Sequence, residues 1–247
     1  MATPFFRFRQ FTVWHDRCGL KVGTDGVLIG AWADLPAGCS SALDIGAGTG
    51  LISLMMAQRC PEITITAVEI DREAAEQCME NVRQSPFDGR ISTVNADFSV
   101  YSSEDAVKGR FDVIVSNPPF FILDHGIGSR DAATNKAKHT DMLSFSQLLD
   151  GVALLLTEQG RFSVIIPYEA ALSFIAAAAE RGLFLSRRCD VRDSSSRPYK
   201  RVMLTFRRET ADTEYSYLTL HNQDRTRTTE YYGLTREFYL PAKTDDI

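Results

Sequence analysis

The run Ser116-Asn117-Pro118-Pro119-Phe120-Phe121 is the most chemically pointed stretch of this chain. It follows residues 111–115, which read as a buried strand, and a bland turn rarely sits between a buried strand and two aromatics. Two prolines fix the backbone and remove two N–H donors, leaving outward carbonyls and the Asn117 side-chain oxygen as acceptors. Acceptors are what a planar exocyclic amino group demands. Hydrogen bonds drawn from both of its N–H bonds reduce its conjugation and aim its lone pair at an electrophile. Phe120 adds a stacking surface for a base, worth ~1–3 kcal/mol. Asn117, Pro118, Pro119 and Phe120 are therefore the candidate catalytic residues, for attack by an amino nitrogen.

A second constellation lies upstream, in Asp44-Ile45-Gly46-Ala47-Gly48-Thr49-Gly50. Gly46, Gly48 and Gly50 let the backbone turn tightly and approach a ligand without a Cβ in the way. The G-x-G-x-G spacing differs from the G-x-G-x-x-G of dinucleotide sites. Asp44 suits a cationic ligand group such as the amino group of a methionine moiety, and would sit poorly beside a pyrophosphate. Glu69 stands 23 positions beyond Gly46, close to the offset of roughly 20 at which a carboxylate binds ribose hydroxyls. Asp97 can accept from an adenine amino group, and Phe98 can lie against the ring. An amino acid, a ribose and an adenine without phosphate describe S-adenosyl-L-methionine.

Stepwise alternation of short β-rich and helical runs must position these groups. Residues 42–45, 63–69, 91–94, 111–115 and 161–166 read as strands, and 51–58, 72–83, 146–158 and 168–181 as helices. Such repeats imply an α/β fold with a parallel sheet covered on both faces, whose ligands sit outside the carboxyl ends of the strands. Residues 183–191 and 202–207 read as two strands without a helix between them, hence an antiparallel C-terminal hairpin. Residues 215–220 alternate well enough for one more short strand. Residues 1–40 read as an N-terminal cap on a single compact domain whose methyl-transferring part spans 41–247.

Bulk properties bound the rest. The 247 residues carry a net charge of −5, which on its own speaks mildly against nucleic acid. Distribution matters more. Between Arg187 and Arg208 stand eight basic residues against Asp190 and Asp193, a candidate RNA contact that could equally be a solvated face. The five cysteines include no C-x-x-C pair and the four histidines lack ligand spacing, so neither a disulfide framework nor a metal site is expected. No apolar run reaches the roughly 18 residues of a membrane span, and no secretory leader is evident, so the expectation is a cytoplasmic protein.

These motifs resemble a known series. Asp44 to Gly50, Glu69, Asp97 and Asn117 to Phe120 are similar to the motifs of class I methyltransferases acting on planar amino groups, which implies a Rossmann-like, seven-stranded, mostly parallel sheet ending in an antiparallel hairpin. Phe8 to Val13 and Asp16 to Trp32 further resemble the bacterial tRNA1(Val) (adenine-N6)-methyltransferases, which methylate the adenine just 3′ of the anticodon, adenine 37. The resemblance runs from Phe5 to Arg208, with Gly19 standing where alanine is expected. It implies tRNA as the partner and roles for Thr24 and Asp25 in closing the pocket over the methionine end of the cofactor. Read without it, Thr24 and Asp25 are equally a loop and N-cap before a helix over 27–32. Residues 125–141 fit either a loop that orders over RNA or a solvated connector. The same Asn-Pro-Pro-aromatic chemistry serves protein-glutamine N5- and rRNA guanine-N2 methylation. The glutamine enzymes usually carry a helical domain for which 40 leading residues are too few. A decayed RNA-binding module has no reason to keep Asp44, Glu69, Asp97 and Asn117 together.

Overall fold

A computed structural model describes residues 3–18, 21–118 and 143–241. At its centre is strand β3, Ser41–Ile45, with β4, Thr64–Glu69, on one side and β6, Phe111–Ser116, on the other, both parallel to it. Strand β5, Ile91–Asn95, extends the parallel set beyond β4, and β7, Leu156–Pro167, extends it beyond β6. Strands β8, Phe184–Ser194, and β9, Arg201–Arg207, form the expected hairpin, with β9 inserted antiparallel between β7 and β8. These are the seven strands anticipated. An eighth, β10, Glu214–His221, pairs parallel to β8 at the edge, so the order is β10-β8-β9-β7-β6-β3-β4-β5.

Period-two alternation puts apolar side chains on both faces of the central strands, as a sheet covered on both sides requires. Ala42 and Val113 face one cluster while their neighbours Leu43 and Ile114 face the other. The first cluster is closed by helices α1, Thr24–Trp32, and α2, Leu51–Arg59, through Leu28, Ile29 and Met55. The second is closed by α4, Phe98–Ser103, α5, Phe145–Leu155, and α6, Ala171–Ala179, through Tyr101, Leu148, Val152 and Phe174. Helix α3, Arg72–Arg83, starts on an Asp71 cap, whose carboxylate accepts from Ala74 N at 2.8 Å.

Two helix boundaries show how the structure departs from expectation. The helix read over 146–158 ends at Leu155, because Leu156 turns to an extended conformation and begins β7 opposite Phe111. The apolar period continues through Leu156, but pairing with the sheet outweighs it. The helix read from Tyr168 opens as a 3₁₀ turn, Tyr168–Ala170, and α6 proper starts at Ala171.

Near the N-terminus, β1, Phe5–Arg7, and β2, Thr12–Trp14, form a separate antiparallel pair. Phe8 stacks on Phe11 and on Tyr239, and bridges to Tyr239 through the backbone. A last helix, α7, Thr229–Thr235, is capped by Thr228 and buries Tyr231 beside this aromatic group. Buried Asn81 of α3 accepts from Trp14 N and donates to Trp14 O and Thr49 O, each at 2.9 Å. One side chain thus joins the β1–β2 pair to the glycine loop.

Candidate active site

The glycine loop leaves the carboxyl end of β3, and its three glycines all take positive φ: Gly46 at 69°, Gly48 at 52° and Gly50 at 81°. That left-handed geometry disfavours any residue with a Cβ. At Gly50 there is a steric reason too, because a Cβ would fall 2.7 Å from Cys78 Sγ. Glu69, at the end of β4, buttresses the loop: its carboxylate accepts from Gly48 N at 2.8 Å and from Asp71 N at 2.9 Å. A carboxylate has about four acceptor sites, so those two bonds leave room for ribose hydroxyls.

Asp44 is fully buried on β3, and its Oδ2 accepts from Ser53 N at 3.0 Å and from the Ser53 hydroxyl at 2.7 Å. Its Oδ1 has no hydrogen-bond partner. Burial, opposed by the Ser53 bonds and reinforced by the Glu69 charge, pushes its carboxyl up to about 7. A buried acceptor lacking a donor beside a ligand-shaped loop fits a cationic group arriving with a ligand.

The register Ile45↔Ser116 makes Gly46 and Asn117 leave the sheet side by side. Both line a cavity of about 570 Å³, within the range of small-ligand sites. Pro118 lines it as well. Pro119 and Phe120 lie outside the described residues. Gly26 of α1 borders the Asn117 amide, and a Cβ there would come 3.0 Å from Leu51 Cδ2. Thr24 and Asp25 line the cavity from the first turn of α1. The cap position belongs to Gly23, which corrects the reading of these two as a loop and N-cap.

Three residues assigned to the nucleoside do not line this cavity. Glu69 is behind the loop, as described. Asp97 caps α4, accepting from Ser99 N at 2.6 Å and Val100 N at 3.4 Å through Oδ1. Phe98 is 5% exposed and its ring packs on Gly151 of α5, where a Cβ would come 2.4 Å from the ring. The expectation that Phe98 lies against a bound ring is therefore corrected: the ring is core, drawn in by the apolar face of α5.

The cavity also takes in residues that the sequence did not assign to the cofactor, notably Lys21, Thr49, Ile52 and Arg201. Lys21 lies in the stretch that carries the family resemblance, so its neighbourhood was signalled. Arg201 was hidden in the basic run. It opens β9, and its Nε donates to Asp25 Oδ2 at 2.6 Å. Other members of that run are engaged internally. Arg187 lies 4.4 Å over the Trp32 ring and pairs with Glu214, Arg188 pairs with Asp190 at 2.7 Å, and Arg208 donates to Ala153 O and Leu156 O. The run is therefore no uniform basic face. Arg197 and Lys200, in the β8–β9 connection, are exposed.

Comparison with known proteins bears directly on this geometry. The methyltransferase small domain family model matches residues 32–165, more than half of the chain. A Bacteroides thetaiotaomicron tRNA1(Val) (adenine(37)-N6)-methyltransferase is 45% identical over 98% of this chain and 100% of its own. The chain belongs to this family. A Phocaeicola vulgatus tRNA1(Val) (adenine(37)-N6)-methyltransferase is 46% identical over 97% of this chain and 99% of its own. An Agrobacterium tumefaciens protein named as a predicted O-methyltransferase shares the fold, with a TM-score of 0.68 at 18% identity over 90% of this chain and all of its own. As a member of the tRNA1(Val) (adenine(37)-N6)-methyltransferase family, the chain has a cavity that fits S-adenosyl-L-methionine. Lys21, Arg201 and Asp25 bring both charges to the cavity that a zwitterionic amino-acid end requires, Asp44, whose Oδ1 has no hydrogen-bond partner, is buried outside its lining, and Glu69 buttresses the loop. Among the described residues no three His, Cys, Asp or Glu gather as metal ligands, and no helix is long and apolar enough to cross a membrane.

Proposed function

We propose that this chain transfers a methyl group from S-adenosyl-L-methionine to the exocyclic N6 of adenine 37 in tRNA1(Val). The observation that carries the reading is the placement of Asn117 beside Gly46 at one cavity, so that an amino-group acceptor borders the glycine loop. Relatives spanning the chain and named for that reaction support the choice of substrate over a protein glutamine or an rRNA guanine.

In this reading Asn117 Oδ1 and the Pro118 carbonyl accept the two N–H bonds of the adenine amino group, Pro119 keeps the backbone rigid, and Phe120 stacks on the base. Gly46, Gly48 and Gly50 admit the cofactor, Asp44 meets its amino group, Glu69 its ribose, and Asp97, through the oxygen that does not cap α4, its adenine. Thr24 and Asp25 close the methionine end. When bound, S-adenosyl-L-methionine supplies an already activated methyl group. Positioning and exclusion of water then carry most of the acceleration. The chain needs no strong general base, because the N6 proton becomes acidic once that nitrogen is methylated and is lost to solvent. The target base must leave its stack, a cost of a few kcal/mol that is least in a single-stranded loop.

Residues 1–40 act as a cap on a methyltransferase domain over 41–247, and the enzyme works in the cytoplasm. From the basic segment, the exposed Arg197 and Lys200 are the residues assigned to tRNA phosphates. The test is transfer of labelled methyl from S-adenosyl-L-methionine to unmodified total tRNA, followed by nucleoside analysis. N6-methyladenosine is the expected product. Label in rRNA or a protein, and none in tRNA, overturns the substrate.

A further inference from the structure

Beside the cavity, the sheet edge carries an aromatic row that the reaction itself does not use. Tyr168, which follows β7, stacks on Tyr199 with ring centroids 5.6 Å apart, and Tyr199 meets Tyr217 of β10 at 5.9 Å. Tyr217 is 66% exposed and its neighbour on the same strand face, Tyr215, is 64% exposed. Edge strands are ordinarily protected by charge, so two open tyrosines on one edge-strand face ask for a partner.

The strand beneath supplies cations. In the β8–β10 register Tyr215 pairs with Arg188, Tyr217 with Asp190 and Thr219 with Arg192, so these side chains share one face. Arg188 is tied to Asp190 and lies 5.6 Å from the Tyr168 ring centroid, which uses up the one acid of that β8 face. Arg192 is held by Thr219 Oγ1 at 2.9 Å and lies 5.3 Å over the Tyr199 ring. Arg197 and Lys200 stand exposed in the connection that carries Tyr199. The row is continuous with the site: Lys200 O accepts from Tyr168 N at 3.1 Å, and the next residue, Arg201, lines the cavity.

Tyrosine faces interleaved with held guanidiniums and outward cations match unpaired bases on a polyanionic backbone. We infer that the Tyr168–Tyr199–Tyr217 row, with Tyr215, Arg192, Arg197 and Lys200, is the surface on which the unpaired loop nucleotides flanking the target adenine are stacked. The inference rests on the reading of the substrate as RNA. It concerns loop recognition, apart from the methyl-transfer site.

The experiment uses the full chain at saturating S-adenosyl-L-methionine with an anticodon stem-loop transcript, comparing wild type with Tyr215→Ala/Tyr217→Ala, Tyr217→Phe and Lys200→Ala. The double alanine variant is expected to raise KM for RNA at least about tenfold, the scale of losing one stacked base. Its kcat, cofactor Kd and Tm stay near wild type, and Tyr217→Phe keeps wild-type KM because the ring face is retained. Lys200→Ala is expected to reduce the slope of log KM against log salt by ~0.7. A KM within twofold of wild type in the double variant, or a loss confined to kcat, overturns the surface while wild-type transfer to tRNA leaves the proposed function standing. Transfer by wild type to a peptide amide and none to RNA overturns both.

Discussion

Asp25 and Arg201 meet at 2.6 Å across the cavity, joining the first turn of α1 to the first residue of β9. Their sequence separation of 176 positions makes the contact a product of the fold alone. It places opposite charges where the zwitterionic end of the cofactor is assigned. Replacing Arg201 by Gln is expected to weaken cofactor binding about five- to tenfold by isothermal titration. Asp25→Asn should do the same, and the double variant should lose less than the product of the two. Multiplicative losses would mean that the two residues act independently.

Asn117→Ala tests the other half of the site. Removing the amide oxygen takes away one acceptor for the target amino group but none of the loop that holds the cofactor. Turnover should fall at least about a hundredfold, on the scale of losing one positioned hydrogen-bonding group in a transition state. Cofactor Kd should stay within about threefold. Retained turnover removes Asn117 from the substrate site.

Asp44 makes stability depend on pH. Its carboxyl is raised to about 7 in the folded chain by burial, against about 3.9 when unfolded. Folding therefore favours its protonated form, and that contribution is fully present below about pH 4 and lost as pH rises through 7. Asp44→Asn has no charge to bury and can still accept from Ser53. In cofactor-free protein, its Tm relative to wild type should climb by several degrees between pH 5 and pH 8, while its cofactor affinity falls at both. A Tm difference independent of pH would mean that Asp44 is ionised throughout.

Gly50→Ala and Gly89→Ala separate backbone strain from collision. Both glycines have positive φ, 81° and 86°, but only at Gly50 does a Cβ meet a neighbour, Cys78 Sγ at 2.7 Å. Gly89→Ala should cost the left-handed penalty of about 1–2 kcal/mol. Gly50→Ala should cost more, by at least another ~1 kcal/mol for an overpacked contact. Urea unfolding of the two variants gives the difference, and equal losses would show that Cys78 simply moves aside.

What could be read from the sequence was what depends on local pattern. Residues 42–45 and 111–115 announced buried strands because both faces of a covered sheet are apolar, and the three glycines announced a tight turn because they lack a Cβ. The side to which a residue turns was less legible. Arg201 looked like one more charge in a basic run, since nothing local says that it faces Asp25 across the sheet end. Phe98 follows a strand at a position that suits a ligand ring, yet its ring goes to Gly151, a partner 53 positions away whose missing Cβ makes the room. Leu156 continued a helical period and still became a strand residue, because pairing with Phe111 outweighed it.

The amide of Asn81 has a consequence for the order of assembly. It holds Trp14 and Thr49 together, and the β1–β2 segment it anchors is itself pinned by Tyr239 against Phe8. On the ribosome the first of these strands emerges long before the aromatic residue that secures it. The Phe8–Tyr239 contact therefore forms only after the glycine loop and the central strands have been made. Loss of that tyrosine would remove a stacking partner of Phe8, and the Asn81 bonds would still tie the segment to the glycine loop.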